Sequence, residues 1–566
     1  MEVVRAVPDG AVQETSFEDD THEHVTNDDT RQEEPDNRQS TPRDDSHTSS
    51  YGSISVIREG NSHSTPPLSS STPVQDTPPS KLSATTKSTD RALAPDILRG
   101  FFMILMALDH NFLVLRPWPI SSIIINHNNN DSHGERDHDD VPAHTWNQPV
   151  AYIIRLLTHL WPPGLLFLLG MGIVYFGQSR RALGWSAGML VRHLLVRVVI
   201  LVVLSVLLGL LMTLGRVWFM SLVLFALAVD YLLVGILWLV ISRAEETLAY
   251  WLLQVLPDAK KDDANEPLLA DRRGHEDIAP DRKIMRAADI SWHFHNIVLL
   301  ALAIVSIWWN MWRSPSRGEE GHCKPDDDNI SVLLASPSNN WFRVWIDVFV
   351  TKHVASLHPP LAWLSFVVLG LLYGRVVVGR TWTRTALTLG NAVFGLVFLL
   401  VFVLTRLLHF GNLSEGCLRM PEHAAHPDRN QYLVSWRSFF FLHRYPPEVA
   451  YWAYAMGVNF TLLTFFSAIP HVISSTVLHP LQVVGTSAFF FYVVHLLPLF
   501  ISWLVWSHIY DLPMSSGPWL GDDEGVPSEW AFWVNWAVVL VIMYLLCRWY
   551  GTFKKARRPD SLWRFF

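Results

Sequence analysis

Residues 96–115 read DILRGFFMILMALDHNFLVL, and from Ile97 onward the stretch is apolar almost throughout. A bilayer's hydrocarbon core takes about 20 such residues in helix. Only Arg99 near one end and Asp109-His110-Asn111 near the other interrupt it. Similar runs follow at 150–176, 194–214, 217–241, 290–312, 361–379, 386–409, 449–469, 480–506 and 530–550, many flanked by Trp, Tyr or Arg at interfacial depth. The pattern predicts an all-α fold, a polytopic transmembrane helix bundle of about ten spans.

Composition agrees. Of 566 residues, 49% are hydrophobic and 17% charged, fewer charges than soluble domains carry. Three cysteines exclude a disulfide scaffold or a Cys-based zinc module. Residues 1–90 hold 17 Asp+Glu against 7 Lys+Arg, and the rest of the chain is close to neutral. No basic patch points to nucleic acid, and no charged n-region with an apolar h-region announces a cleaved signal peptide. No phosphate-binding Gly-rich loop, Gly-x-Ser-x-Gly elbow or Rossmann fingerprint is present, which argues against ATP-driven pumping and serine-hydrolase chemistry.

The acidic, Ser/Thr/Pro-rich segment 1–90 reads as a disordered cytosolic tail, and 91–566 as the membrane domain. Within it, 242–289 is expected to be a mobile cytosolic loop. Basic residues follow span 2 (Arg180, Arg181, Arg192, Arg197), span 6 (Arg375, Arg380, Arg384) and span 10 (Arg548, Lys554, Lys555, Arg557, Arg558). The positive-inside rule therefore puts both termini in the cytosol. Asn130, Asn329 and Asn412 open N-glycosylation patterns that fall on the opposite, lumenal side. Cys323 and Cys417 share that side and either pair or stay as thiols. Apolar residues at helical spacing over 341–357 predict an amphipathic helix on the lumenal surface.

Ionisable groups inside spans are costly and are functional candidates by default. Asp96, Arg99 and His110 fall within about 60° of one another around span 1, with Arg99 and His110 about 16 Å apart along it. An anion-binding group would then stand at the cytosolic mouth and a titratable base near the lumenal end. The alternative is that Arg99 snorkels to headgroups and Asp96 caps the helix or pairs with it. His159, with Pro162-Pro163-Gly164 just after it, would lie near the depth of His110. Gly170 and Gly172 are assigned to helix packing. His495 lies mid-span in span 9, and Asp230 deep in span 4 has no evident partner. A His-x4-Asp pattern, His423 and Asp428, falls in an irregular loop and is taken as chance. No metal site is predicted.

The blocks ALAPDILRGFFMILMALDH (92–110), THLWPPGLLFLLGMGI (158–173), HPPLAWLSFVVLGLLYGRV (358–376), HRYPPEVAYWAYAMG (443–457) and VGTSAFFFYVVHLL (484–497) occur in that order. Together they resemble the membrane proteins related to heparan-α-glucosaminide N-acetyltransferase, within the wider transmembrane acyltransferase group. The resemblance implies transfer of an acetyl or other acyl group from cytosolic acetyl-CoA or another acyl-CoA to a lumenal, glycan-like acceptor. Arg99, with Asp96 beside it, would meet the CoA phosphates. His110 would act as base, oriented by Asp109 or His159. The better-known heparan enzymes have Asn at the position of His110 and a catalytic His in the following loop, where this chain offers His144. His144 is therefore a rival base, and the heparan substrate does not carry over.

The leading expectation is a multi-pass acyltransferase of an endomembrane, either vacuolar or lysosomal or derived from the endoplasmic reticulum. Its partners would be the lipid bilayer, acyl-CoA and the lumenal acceptor. The oligomeric state stays open, a homodimer among the options. A proton-coupled secondary transporter using the buried Asp and His residues and a non-catalytic membrane scaffold are the alternatives.

Overall fold

The structure, a computed structural model, describes residues 93–115, 148–257, 278–313, 340–413, 423–512 and 525–557, apart from 214, 216, 222, 348, 351–353, 424, 445 and 527. The 1–90 tail, His144, Asn130, Asn329, Cys323 and Cys417 lie outside these residues.

Among the described residues, ten stretches of helix are long and apolar enough to cross a membrane. The first is α1 (Leu93–Leu115). The second is broken into α2 (Gln148–Thr158) and α3 (Trp161–Ala182). Then come α4 (Ala187–Met212), α5 (Val223–Val255) and α6 (Ile278–Arg313). After the short α7 (Asn340–Ile346) follow α8 (Pro360–Gly379) and α9 (Arg384–Leu407). A single turn, α10 (Trp436–Phe439), precedes α11 (Val449–Ala468). The ninth stretch is preceded by α12 (His471–Thr476) and α13 (His479–Thr486) and is itself divided into α14 (Ala488–Val494) and α15 (Leu496–Ile509). The chain's last described helix is α16 (Glu529–Lys555).

The break between α2 and α3 follows from two prolines. Pro162 and Pro163 have no N–H, so the carbonyls of Thr158 and His159 lose their helical donors. A freed carbonyl in an apolar bundle needs another partner. His159 finds one in the Tyr451 hydroxyl, which donates to it at 2.7 Å. Three of the described α-helix starts carry side-chain caps: Ser186 Oγ accepts from Met189 N–H before α4, Thr383 Oγ1 accepts from Ala386 N–H before α9, and Ser435 Oγ accepts from Ser438 N–H before α10.

Glycine brings helix pairs close together, most closely at two places. A Cβ on Gly170 would stand 2.0 Å from the Val367 carbonyl oxygen, and one on Gly370 would stand 2.0 Å from that of Phe167, so α3 and α8 meet backbone to backbone. Gly100 of α1 and Gly485 of α13 are related in the same way. Gly172, expected to share the packing role of Gly170, has no neighbour within 4 Å of its Cβ direction.

Three expectations need correction. Span 4 does not begin at 217, because Phe219–Ser221 forms a strand, β1, that pairs parallel with β3 (Val354–Ser356). The amphipathic helix expected over 341–357 stops at Ile346. Arg313 and Arg343 both reach Asp347, at 2.6 and 4.0 Å, and the aromatic and β-branched pair beyond forms β2 (Phe349–Val350), antiparallel to β3. The stretch 242–289 is helical at both ends, in α5 as far as Val255 and in α6 from Ile278. There Arg375 bonds Glu245 at 2.6 Å and Asn296 at 3.1 Å, tying α5, α6 and α8 together.

Asn412 is likewise not an open glycosylation acceptor. Its side chain is fully buried, its oxygen accepting from Arg406 at 2.7 Å and its nitrogen donating to the Thr405 carbonyl at 2.9 Å. Arg406 also pairs with the fully buried Glu448 at 3.3 Å and lies over the Tyr432 ring. Glu448 in turn accepts from the backbone of Leu413 and His443. This ionic knot pins the connection between α9 and α11 to the ends of both helices.

Candidate functional site

The last third of α1 places Asp109, His110 and Asn111 on successive faces of one turn, each with a different neighbour. Asn111 is buried. It donates to the Phe532 carbonyl at 3.0 Å and accepts from Asn535 at 2.6 Å, which locks α1 to α16. Asp109 accepts from the Trp161 indole N–H at 3.0 Å and lies 3.8 Å from Arg444.

His110 turns to α14 and α15. Its Nδ1 stands 2.6 Å from Nε2 of His495, and the two rings stack with centroids 4.9 Å apart. The fully buried His495 occupies the joint between those helices, where its Nδ1 is 3.0 Å from the Phe491 carbonyl oxygen. A carbonyl only accepts, so Nδ1 of His495 carries a hydrogen. For neutral rings a single pattern then satisfies both bonds: His495 Nε2 accepts from His110 Nδ1–H, and His110 keeps its lone pair on Nε2. A base is in this way fixed in one tautomer by a second residue that is itself fixed by the backbone. Trp161 meets the His110 ring edge-on at 5.8 Å.

The ring partner of His110 is thus His495, and neither Asp109 nor His159 is turned to it by a hydrogen bond described above. Asp109 is engaged by Trp161 and Arg444, and His159 turns its Nδ1 to the Arg155 carbonyl of its own helix. His159 lies at the break between α2 and α3 and packs edge-on against Tyr451 at 5.9 Å. His495 was visible in the sequence as a histidine in the middle of an apolar run. The signal that could have singled it out is that such a group needs a polar partner.

His358 stands outside the spanning helices, on the segment held by the small sheet. Its backbone N–H donates to the Ser221 carbonyl at 3.2 Å, and its carbonyl accepts from Ser221 Oγ at 3.2 Å. Burial, then the positive charge of Arg444 and the nearness of His110, hold its pKa well below the usual histidine value.

At the opposite end of α1, Arg99 donates to Asp96 at 2.9 Å. The Arg99 side chain is 28% exposed and that of Asp96 is 9% exposed. The pairing alternative is thus realised, and it offsets part of the charge that Arg99 could offer an anion. His423 packs against Ser438, Nε2 to Oγ 2.8 Å, in a buried loop contact. Among the described residues no group of three or more His, Cys, Asp or Glu side chains is arranged to hold a metal ion. No family model matches the chain, and no curated protein matches it in sequence.

Proposed function

We propose that this chain is an integral membrane acyltransferase that takes an acetyl or longer acyl group from cytosolic acyl-CoA and gives it to a lumenal carbohydrate-type amine or hydroxyl. The observation that carries this reading is the His110–His495 pair, a base held in one tautomer inside a bundle of membrane-length helices. In the proposed step, Nε2 of His110 takes the proton as the acceptor's nitrogen or oxygen bonds to the thioester carbonyl carbon. The C–S bond then breaks and the CoA thiolate recovers that proton from His110. His495 positions the ring. Arg99, which reaches the surface at the other end of α1 although paired with Asp96, is the residue assigned to the CoA phosphates. The order of sequence blocks resembling the heparan-α-glucosaminide N-acetyltransferase relatives supports the same chemistry. The charge rule sets the Arg99 end in the cytosol and the His110 end in the lumen of an endomembrane compartment.

Binding of labelled acetyl-CoA to the purified protein tests this, with wild type set against Arg99→Ala and His110→Ala. Saturable binding that Arg99→Ala weakens, with His110→Ala binding but no longer releasing the acetyl group to an acceptor, is the expected result. Well-folded protein without CoA-competable binding overturns the proposal.

A second reading, a proton-coupled transporter, draws on one observation: Asp230 is fully buried in α5 and neither carboxyl oxygen has a hydrogen-bond partner among the described residues. Asp230→Asn separates the two, since it would abolish coupled transport and leave acyl transfer intact.

A further inference from the structure

Arg180 and Arg181 close α3, and Arg192 and Arg197 sit in the first turns of α4. None of the four makes an ion pair with an acidic side chain among the described residues, whereas Arg99, Arg313, Arg375 and Arg406 each do. Three of them are held by aromatic rings instead. The Arg180 guanidinium is 4.8 Å from the Trp185 centroid, that of Arg181 is 4.6 Å from Trp238, and that of Arg197 is 4.8 Å from Tyr231. His193 extends the cluster by stacking on Phe176 at 4.7 Å. Tyr231 and Trp238 are two turns apart on one face of α5, so they set Arg197 and Arg181 about 10 Å apart along that helix.

A ring takes the flat face of a guanidinium, while its N–H donors lie in the plane and point outward. These arginines are thus oriented but not neutralised. The surface that continues from them along α4 is apolar, with Val199, Val203, Leu207 and Leu211 each half or more exposed. A ligand that satisfies both parts has an anionic head and hydrocarbon chains. We infer that the arginine-and-ring cluster between α3, α4 and α5 binds the phosphate headgroup of an anionic phospholipid, with the acyl chains lying along α4. The site is separate from the His110 pair and does not depend on acyl transfer.

The test is native mass spectrometry of the full-length protein in mild detergent, titrated with phosphatidylglycerol or phosphatidylcholine. Wild type is compared with Arg180→Gln/Arg181→Gln, with Arg192→Gln and, as a control at an exposed ion pair, Arg243→Gln. Wild type binds phosphatidylglycerol in preference to phosphatidylcholine, and inorganic pyrophosphate does not displace it. Phosphatidylglycerol binds roughly 30-fold more weakly to the double variant and about 5-fold more weakly to Arg192→Gln, with the control unchanged. Arg192 is exposed, so its variant reports even if the double variant folds poorly. Equal binding by wild type and Arg192→Gln, or equal affinity for the two lipids, overturns the site. Displacement by pyrophosphate would make it a site for soluble phosphate and overturn the lipid assignment.

Discussion

Tyr451 donates its hydroxyl hydrogen to the carbonyl of His159 at 2.7 Å, a bond between α11 and the break in the second span. Removing the hydroxyl leaves that buried carbonyl without its donor. Tyr451→Phe should therefore cost about 1–3 kcal/mol, read as a loss of unfolding free energy in detergent. A variant as stable as wild type would mean that the break needs no such support.

His110 and His495 are expected to act as a unit. His110→Ala should lower the acyl-transfer rate by roughly 10²–10⁴-fold, the usual worth of a general base, with acyl-CoA affinity unchanged. His495→Ala should cost on the order of 10²-fold by letting the His110 ring turn. His495→Gln, whose amide oxygen accepts from His110 Nδ1–H, should recover much of that loss. A Gln variant as slow as the Ala variant would remove the positioning role.

Gly370 of α8 and Gly172 of α3 make a sharp contrast. Gly370→Ala drives a Cβ into the Phe167 carbonyl and should destabilise by about 1–3 kcal/mol or more. Gly172→Ala meets open space and should be neutral or slightly stabilising. Unfolding midpoints of the two variants side by side check the difference.

Glu448→Gln leaves Arg406 buried without its counter-charge. A loss of about 3–5 kcal/mol is expected, and proteolysis should then begin in the segment between α9 and α11. Protection of that segment in the variant would show that the hydrogen bonds alone hold it.

His358 makes stability fall on the acid side. Its folded-state pKa is depressed, so near neutral pH both folded and unfolded forms are uncharged there and the group is silent. As pH drops below about 6.5, the unfolded chain takes up a proton that the folded site refuses, and stability declines towards a slope of about 1.4 kcal/mol per pH unit. The difference in unfolding free energy between wild type and His358→Gln at pH 7, 6 and 5 isolates the effect. A pH-independent difference would rule it out.

Hydropathy made the helices legible because a membrane-length apolar run has few alternatives. It did not reveal β1 or the end of α7, since three-residue strands carry no periodicity of their own and form only when Phe219 meets Val354. The role of Gly170 was readable and that of Gly172 was not, because a small residue marks an approach only if another backbone arrives. His110 and Asp109 stood out as polar groups in an apolar run. Their partners, His495, Trp161 and Arg444, come from distant stretches of chain, and periodicity and spacing along the chain do not reveal which distant groups converge. The spacing arguments that proposed Asp109 or His159 were local, and the bonds are not.

The polar end of the first span is completed by residues 385 and 424 positions further on, His495 and Asn535. Synthesis runs from the N-terminus, so α1 leaves the ribosome long before either exists. Until α14, α15 and α16 arrive, His110 and Asn111 must stay beside water, the insertion machinery or a chaperone, because lipid would strand them. A chain that ends early is thereby marked by its own first helix as unfinished.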